Sequence, residues 1–140
     1  MISVESIVAP PSFDGSEGLL ALIVRGSPDQ VGTQFVTATS HELQVGVIKK
    51  AAGDEITPHV HLVHHRLVKA TSEVLVIRKG AVLVNFYTSA RELVGTRLLR
   101  GGDVLVSLGG GHGFQFTEET EMLEVKTGPY FGRSSDKVQF

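Results

Sequence analysis

The sequence predicts a single all-β domain. Short runs rich in Val, Ile, Leu, Phe and Thr recur along the 140 residues with Gly, Pro, Asn or Asp between them, which is the pattern of a β-sandwich or β-barrel. The 16 glycines favour many tight turns over long helices. No apolar pattern of period 3.6 reaches the length of a helix, beyond a turn or two near residues 64–69. The length is that of about one domain, so we expect one unit over residues 1–140.

Eight runs are predicted as strands. In chain order they are Leu19–Val24, Gln34–Thr39, Leu43–Lys49, Glu73–Arg78, Ala81–Tyr87, Asp103–Leu108, Gly113–Thr117 and Met122–Lys126. In the third and fifth of these runs apolar residues partly alternate with smaller or polar ones, as in strands that turn one face to a core. The C-terminal segment 128–140 is predicted to be irregular and to cover the body of the domain.

Composition excludes several functional classes. Lys and Arg total 13 against 15 Asp and Glu, so the net charge of −2 gives no field that would attract nucleic acid or an anionic membrane. The absence of cysteine excludes disulfides, a thiolate nucleophile and Cys-containing metal sites. No window approaches the ~18 apolar residues of a membrane span, and the N-terminus has no signal-peptide pattern. A cytoplasmic location is therefore expected.

Two histidines are spaced to share one face of a strand. Pro58 leads into His59-Val60-His61, and residues i and i+2 of a strand point to the same side. Both imidazoles would then converge on one point, which is half of a metal site. Pro at the start of a strand removes no internal ladder bond.

A carboxylate and a third histidine occur later in the chain. Glu73 opens one predicted strand, and Gly109-Gly110-Gly111 leads into His112 on another. Together with the histidine pair they would supply nitrogen and oxygen donors, which suit several divalent transition metals. The donor set does not distinguish Fe, Mn, Ni or Zn.

These residues resemble the first motif of the cupin superfamily, G-x5-H-x-H-x3or4-E-x6-G. Gly53, His59, His61, Glu73 and Gly80 match its positions. Eleven residues separate His61 from Glu73 where the family has three or four, and we interpret them as an inserted loop.

The second cupin motif, G-x5-P-x-G-x2-H-x3-N, is matched in part. Gly101, Gly109 and His112 have its spacing. Ser107 or Leu108 stands where the motif has proline, and Phe116 where it has asparagine.

The resemblance implies a single-domain cupin with a double-stranded β-helix, or jelly-roll barrel, and with the barrel motifs at about residues 43–127. It also implies one divalent metal ion held by His59, His61, Glu73 and His112. His64 or His65, in the inserted loop, is the alternative for the fourth position. The chain is similar to small RmlC-like cupins found near sugar and polysaccharide biosynthesis enzymes, so we expect a small-molecule ligand such as a sugar derivative, and a homodimer.

The function expected from this resemblance is metal-dependent catalysis on a small oxygen-rich molecule, by isomerisation, epimerisation or dioxygenation. One alternative is a non-catalytic module that binds a sugar or sugar nucleotide. Another is a metal-free sugar-nucleotide epimerase or isomerase, with His59 or His61 as base and Tyr87 or Tyr130 as acid. Further candidates for catalytic residues are His64 and His65.

Overall fold

The computed structural model describes residues 1–11 and 18–140, and nearly all of its regular structure is β. The strands are β1 (Ser3–Val8), β2 (Leu19–Arg25), β3 (Gly32–Phe35), β4 (Gly46–Lys49), β5 (Glu73–Lys79), β6 (Ala81–Tyr87), β7 (Leu93–Arg100), β8 (Val104–Ser107), β9 (Gly111–Phe116) and β10 (Glu121–Lys126). One short helix, α1 (Arg133–Asp136), lies near the C-terminus. None of the described residues forms a helix long and apolar enough to cross a membrane. The all-β prediction is confirmed.

The strands form three antiparallel sheets. The largest has the order β1-β2-β8-β5-β10, and a second has the order β7-β6-β9. The hairpin β3-β4 forms a third sheet of its own. The N-terminal strands β1 and β2 therefore belong to the same sheet as β5, β8 and β10 from the second half of the chain.

The two larger sheets pack face to face around one hydrophobic core. Val82, Val84 and Phe86 alternate along β6 with less buried residues and point inward, while Leu75 and Leu105 face them from the other sheet. These side chains are almost completely buried. Burying one such side chain contributes roughly 1.5–3 kcal/mol, so this core holds the sandwich together.

The sheets do not close into the predicted jelly-roll barrel. In the part of the chain that the structure describes, β9 and β10 are edge strands. The strand expected at His59–His61 is absent, because residues 55–71 make no backbone–backbone hydrogen bond. The helical turn near residues 64–69 is also absent. No strand formed by the described residues therefore lies beside β9 to continue its sheet.

A cluster of charged side chains ties the two sheets together at the edges formed by β1 and β7. Glu5 on β1 accepts hydrogen bonds from Arg25 on β2 and from Arg97 on β7. We call these three residues the Glu5 clasp. The hydrogen bond from Arg97, and then that from Arg25, holds the pKa of Glu5 below its usual value of 4.5.

Replacing Glu5 by Gln is expected to lower the free energy of unfolding at pH 7 by about 1 kcal/mol, because the clasp is partly exposed and screened by solvent. A lowered pKa in the folded state means that this stabilisation is complete above the unfolded value of 4.5 and is lost as the pH falls through the folded value. Urea unfolding of the wild type and of Glu5→Gln, at pH 7 and at stepwise lower pH, measures the difference. Glu118→Gln, an exposed glutamate, is the control. Equal unfolding midpoints for all three proteins at pH 7 would show that the clasp does not stabilise the fold.

Candidate functional site

A cavity of about 750 Å³ opens at one end of the sandwich. Its wall includes Glu73 at the start of β5, Tyr87 at the end of β6, Ser107 at the end of β8 and His112 near the start of β9. These four strand ends meet there because the neighbouring strands are antiparallel. The volume lies within the roughly 300–1,000 Å³ of small-molecule sites.

The strand register explains why three polar side chains point into this cavity. Glu73 pairs with Ser107 across β5 and β8, so both side chains project from the same face of their sheet. His112 pairs with Phe86 across β9 and β6. Because Phe86 is buried in the core, His112 also points inward, and it meets Glu73 and Ser107 between the two sheets.

The His112 imidazole is held at both of its nitrogens. Its Nε2 lies 3.1 Å from Oε2 of Glu73, and its Nδ1 lies 3.2 Å from Oγ of Ser107. Glu73 and Ser107 are both buried, whereas His112 keeps partial contact with the cavity. The ring is therefore fixed in orientation by one residue from each of two neighbouring strands.

The Glu73 carboxylate carries an unsatisfied oxygen. The contact with the His112 imidazole is the largest cause that lowers the pKa of Glu73, while burial acts in the opposite direction. Glu73 is therefore a carboxylate at neutral pH. Yet Oε2, although close to Nε2, has no aligned hydrogen-bond partner among the described residues.

Basic and aromatic residues form the rim of the cavity. Arg91 and Lys137 line it and would attract a carboxylate or phosphate group. The Phe140 ring packs edge-on against Tyr87 with their centroids 5.1 Å apart, and the Arg91 guanidinium lies 5.5 Å from the centre of the same ring. One wall of the cavity is therefore made by the C-terminal segment 136–140.

The C-terminal segment is attached to the sandwich through Lys126. Its Nζ lies 3.3 Å from a carboxylate oxygen of Asp136 and 4.9 Å from the centre of the Tyr130 ring. The bond to Asp136 raises the pKa of Lys126. These contacts hold the segment where it borders the cavity.

The structure brings together only part of the predicted site. Glu73, His112 and Tyr87 lie at the cavity. Tyr130 is exposed beside Lys126 and does not line it.

The remaining predicted residues lie on a segment that we call the exposed arm, residues 50–71, in which every residue is exposed. His59, His61, His64 and His65 all belong to it, and none of them lines the cavity. The rings of His59 and His61 have centroids 5.1 Å apart. Among the described residues, no three His, Cys, Asp or Glu side chains are grouped so that they could hold a metal ion.

Sequence reasoning missed Ser107 as a partner of His112, and Arg91 and Phe140 as cavity residues. Ser107 was noted only as a departure from a motif, and its role depends on the pairing of β5 with β8. Arg91 lies in the turn between β6 and β7, where its backbone has a positive φ of 71°. No local pattern in the sequence indicates either position.

Comparisons with protein-family models, with curated proteins and with solved structures found no match for this chain.

Proposed function

We propose that the cavity binds a small oxygen-rich molecule, such as a sugar derivative, and that Glu73 and His112 are two of the ligands of a divalent transition metal in a cupin-like site. The observation that carries this proposal is the buried Oε2 of Glu73, which lacks an aligned partner and lies 3.1 Å from Nε2 of His112.

This separation suits two donors that bind the same ion. With metal–donor distances of about 2.1 Å, two ligands at right angles are about 3.0 Å apart, and two at the tetrahedral angle about 3.4 Å. A buried carboxylate oxygen without a donor is costly, and a cation between Oε2 and Nε2 would satisfy both atoms. The chemistry of the two donors therefore fits the metal, although two ligands alone do not complete a site.

Ser107 supports this interpretation. When Nδ1–H of His112 donates to Oγ of Ser107, the lone pair of Nε2 is left free to bind a metal, and such a second hydrogen bond commonly orients a histidine ligand. A bound metal would supply a Lewis acid for a carbonyl or hydroxyl oxygen, or would activate water or dioxygen. Arg91 and Lys137 would hold an anionic group of the ligand at the rim.

Elemental analysis tests the metal site. Protein purified without a histidine tag is expected to contain about one transition-metal ion per chain after supplementation with Fe, Mn, Ni or Zn. Glu73→Gln and His112→Ala are each expected to lower metal affinity by at least about tenfold, because each removes a direct ligand.

His41→Ala is the matched control, since this histidine does not line the cavity, and it should retain the wild-type metal content. A wild-type protein that binds none of the four metals would contradict the proposal. Equal loss of metal in His41→Ala and His112→Ala would indicate non-specific binding by histidines.

One observation favours a second, metal-free function. The pairing of His112 with Glu73 also suits acid–base catalysis, because a buried carboxylate 3.1 Å from Nε2 can orient the imidazole for proton transfer to a ligand. Tyr87, which also lines the cavity, would then be the acid in an epimerase or isomerase. If metal-free protein converts a sugar nucleotide and the His112→Ala variant does not, the result would support this metal-free function. Binding without turnover would instead indicate a non-catalytic sugar-binding module.

A further inference from the structure

The exposed arm is apolar without being packed. It carries Val60, Leu62, Val63 and Leu67, which are between 74% and 92% exposed. Residues 55–71 also make no backbone–backbone hydrogen bond. A segment with exposed apolar side chains, whose backbone groups have no backbone partner, is available to pair with the edge of another sheet.

The strand β9 offers such an edge beside the cavity. Within the described residues it pairs with β6 alone, so its other side is open. Phe116 pairs with Val82, which is completely buried, and therefore lies on the inner face, yet Phe116 is 55% exposed. The C-terminal end of the inner face of β9, the face that also carries His112, thus lacks a cover.

The ends of the arm are anchored to the chain that carries it. The Glu42 carboxylate accepts hydrogen bonds from the backbone N–H groups of Lys69 and Ala70. Just before the arm, Nζ of Lys49 donates to the carbonyl oxygens of Pro28 and Asp29. The ends are fixed while the middle stands in solvent, so its pairing groups are presented to a neighbouring molecule.

We propose that the arm of one copy pairs along the free edge of β9 in a second copy, and that it brings its His59 and His61 to Glu73 and His112 of that copy. A two-fold dimer makes this exchange twice and covers both arms. With His59 and His61 on the inner face, Val60 lies on the outer face, where Gln115 of β9 also lies. The metal part of this inference rests on the proposed function, whereas the exchange of arms can be tested without metal.

Cysteine cross-linking tests the exchange directly, because the chain has no cysteine. Val60→Cys and Gln115→Cys, made in separate chains, mixed by co-expression and treated with a short bis-maleimide, are expected to form a covalent dimer joined between residues 60 and 115. Peptide mapping by mass spectrometry identifies the bond. Val60→Cys co-expressed with Ser3→Cys, on the edge strand β1, is the control and should form no link between residues 60 and 3.

The double variant Val60→Cys/Gln115→Cys separates the exchange from folding back of the arm. A 60–115 link within one chain, with no such link in the mixture of single variants, would overturn the proposal in favour of the arm closing on its own site. No 60–115 link in either sample would overturn it as well.

Metal content then tests the shared site. His59→Ala/His61→Ala and Glu73→Gln/His112→Ala should each lose the metal. Co-expressed, they should recover about a quarter of the wild-type content, because random pairing makes half of the dimers mixed and each mixed dimer has one intact site. No recovery, with metal in the wild type, would overturn delivery in trans. A 60–115 link between the two single variants, together with no metal in the wild-type protein, would sustain the exchange and overturn the metal-binding function alone.

Discussion

Phe86→Ala is expected to lower the free energy of unfolding by about 3–5 kcal/mol, the usual range for a fully buried phenylalanine. Phe86 is among the largest completely buried side chains, and it lies near the C-terminal end of β6, which runs between β7 and β9. Its removal leaves a cavity that the two sheets cannot fill by small shifts. Urea unfolding followed by circular dichroism measures the change.

The same substitution should weaken the site, because Phe86 lies directly opposite His112 in the β6–β9 pair. Loss of its ring frees the backbone under His112, so metal or ligand affinity should fall at a temperature where the variant is still folded. Phe131→Ala is the matched control, since Phe131 is 76% exposed, and its free energy of unfolding should change by less than about 0.5 kcal/mol. Similar effects of the two substitutions would mean that Phe86 is not part of a packed core.

Gly110→Ala is expected to destabilise the protein by about 3 kcal/mol. Gly110 has a φ of 61°, in the left-handed region, which costs a residue with a side chain about 1–2 kcal/mol. An added Cβ would also lie 2.3 Å from the carbonyl oxygen of Tyr87 and 3.0 Å from a methyl carbon of Leu20. Relieving these contacts requires the start of β9 to move away from the end of β6, which displaces His112 as well.

Gly109→Ala is the control for this prediction. Gly109 has no positive φ, and a Cβ there would meet nothing closer than 4.0 Å. Its unfolding midpoint should equal that of the wild type, whereas Gly110→Ala should unfold at lower urea concentration and lose affinity at the cavity. Equal midpoints for the two variants would show that the close approach to Tyr87 is relaxed without cost.

Most strands of the second half of the chain were predictable because they are compact apolar runs. The prediction for Ala81–Tyr87 matches β6 at both ends, and that for Leu19–Val24 matches β2 within one residue. β1 and β7 were missed, since charged residues such as Glu5 and Arg97 interrupt their apolar pattern. These charged side chains have their partners on the opposite sheet, and the sequence of a single strand does not reveal such a partner.

The candidate site was predictable only where it depends on strands whose apolar pattern is visible in the sequence. Glu73 and His112 come together because β5, β6 and β9 are in the predicted places. The strand predicted at His59 failed, because alternation alone does not make a strand when no ladder partner lies beside it. The role of Ser107 could not be predicted from the sequence for a related reason, since only the strand register reveals its neighbour.

The Glu5 clasp makes the two sides of the sandwich unequal in stiffness. The ion pair between Glu5 and Arg97 joins β1 to β7, while the opposite edges, β10 and β9, are not hydrogen-bonded to each other. A structure fastened along one side yields first along the other, so the sheets can part slightly at the Glu73 side while the clasped side keeps its spacing. Ligands of different width could then enter the cavity without breaking the clasp, and its width would be set by what binds there.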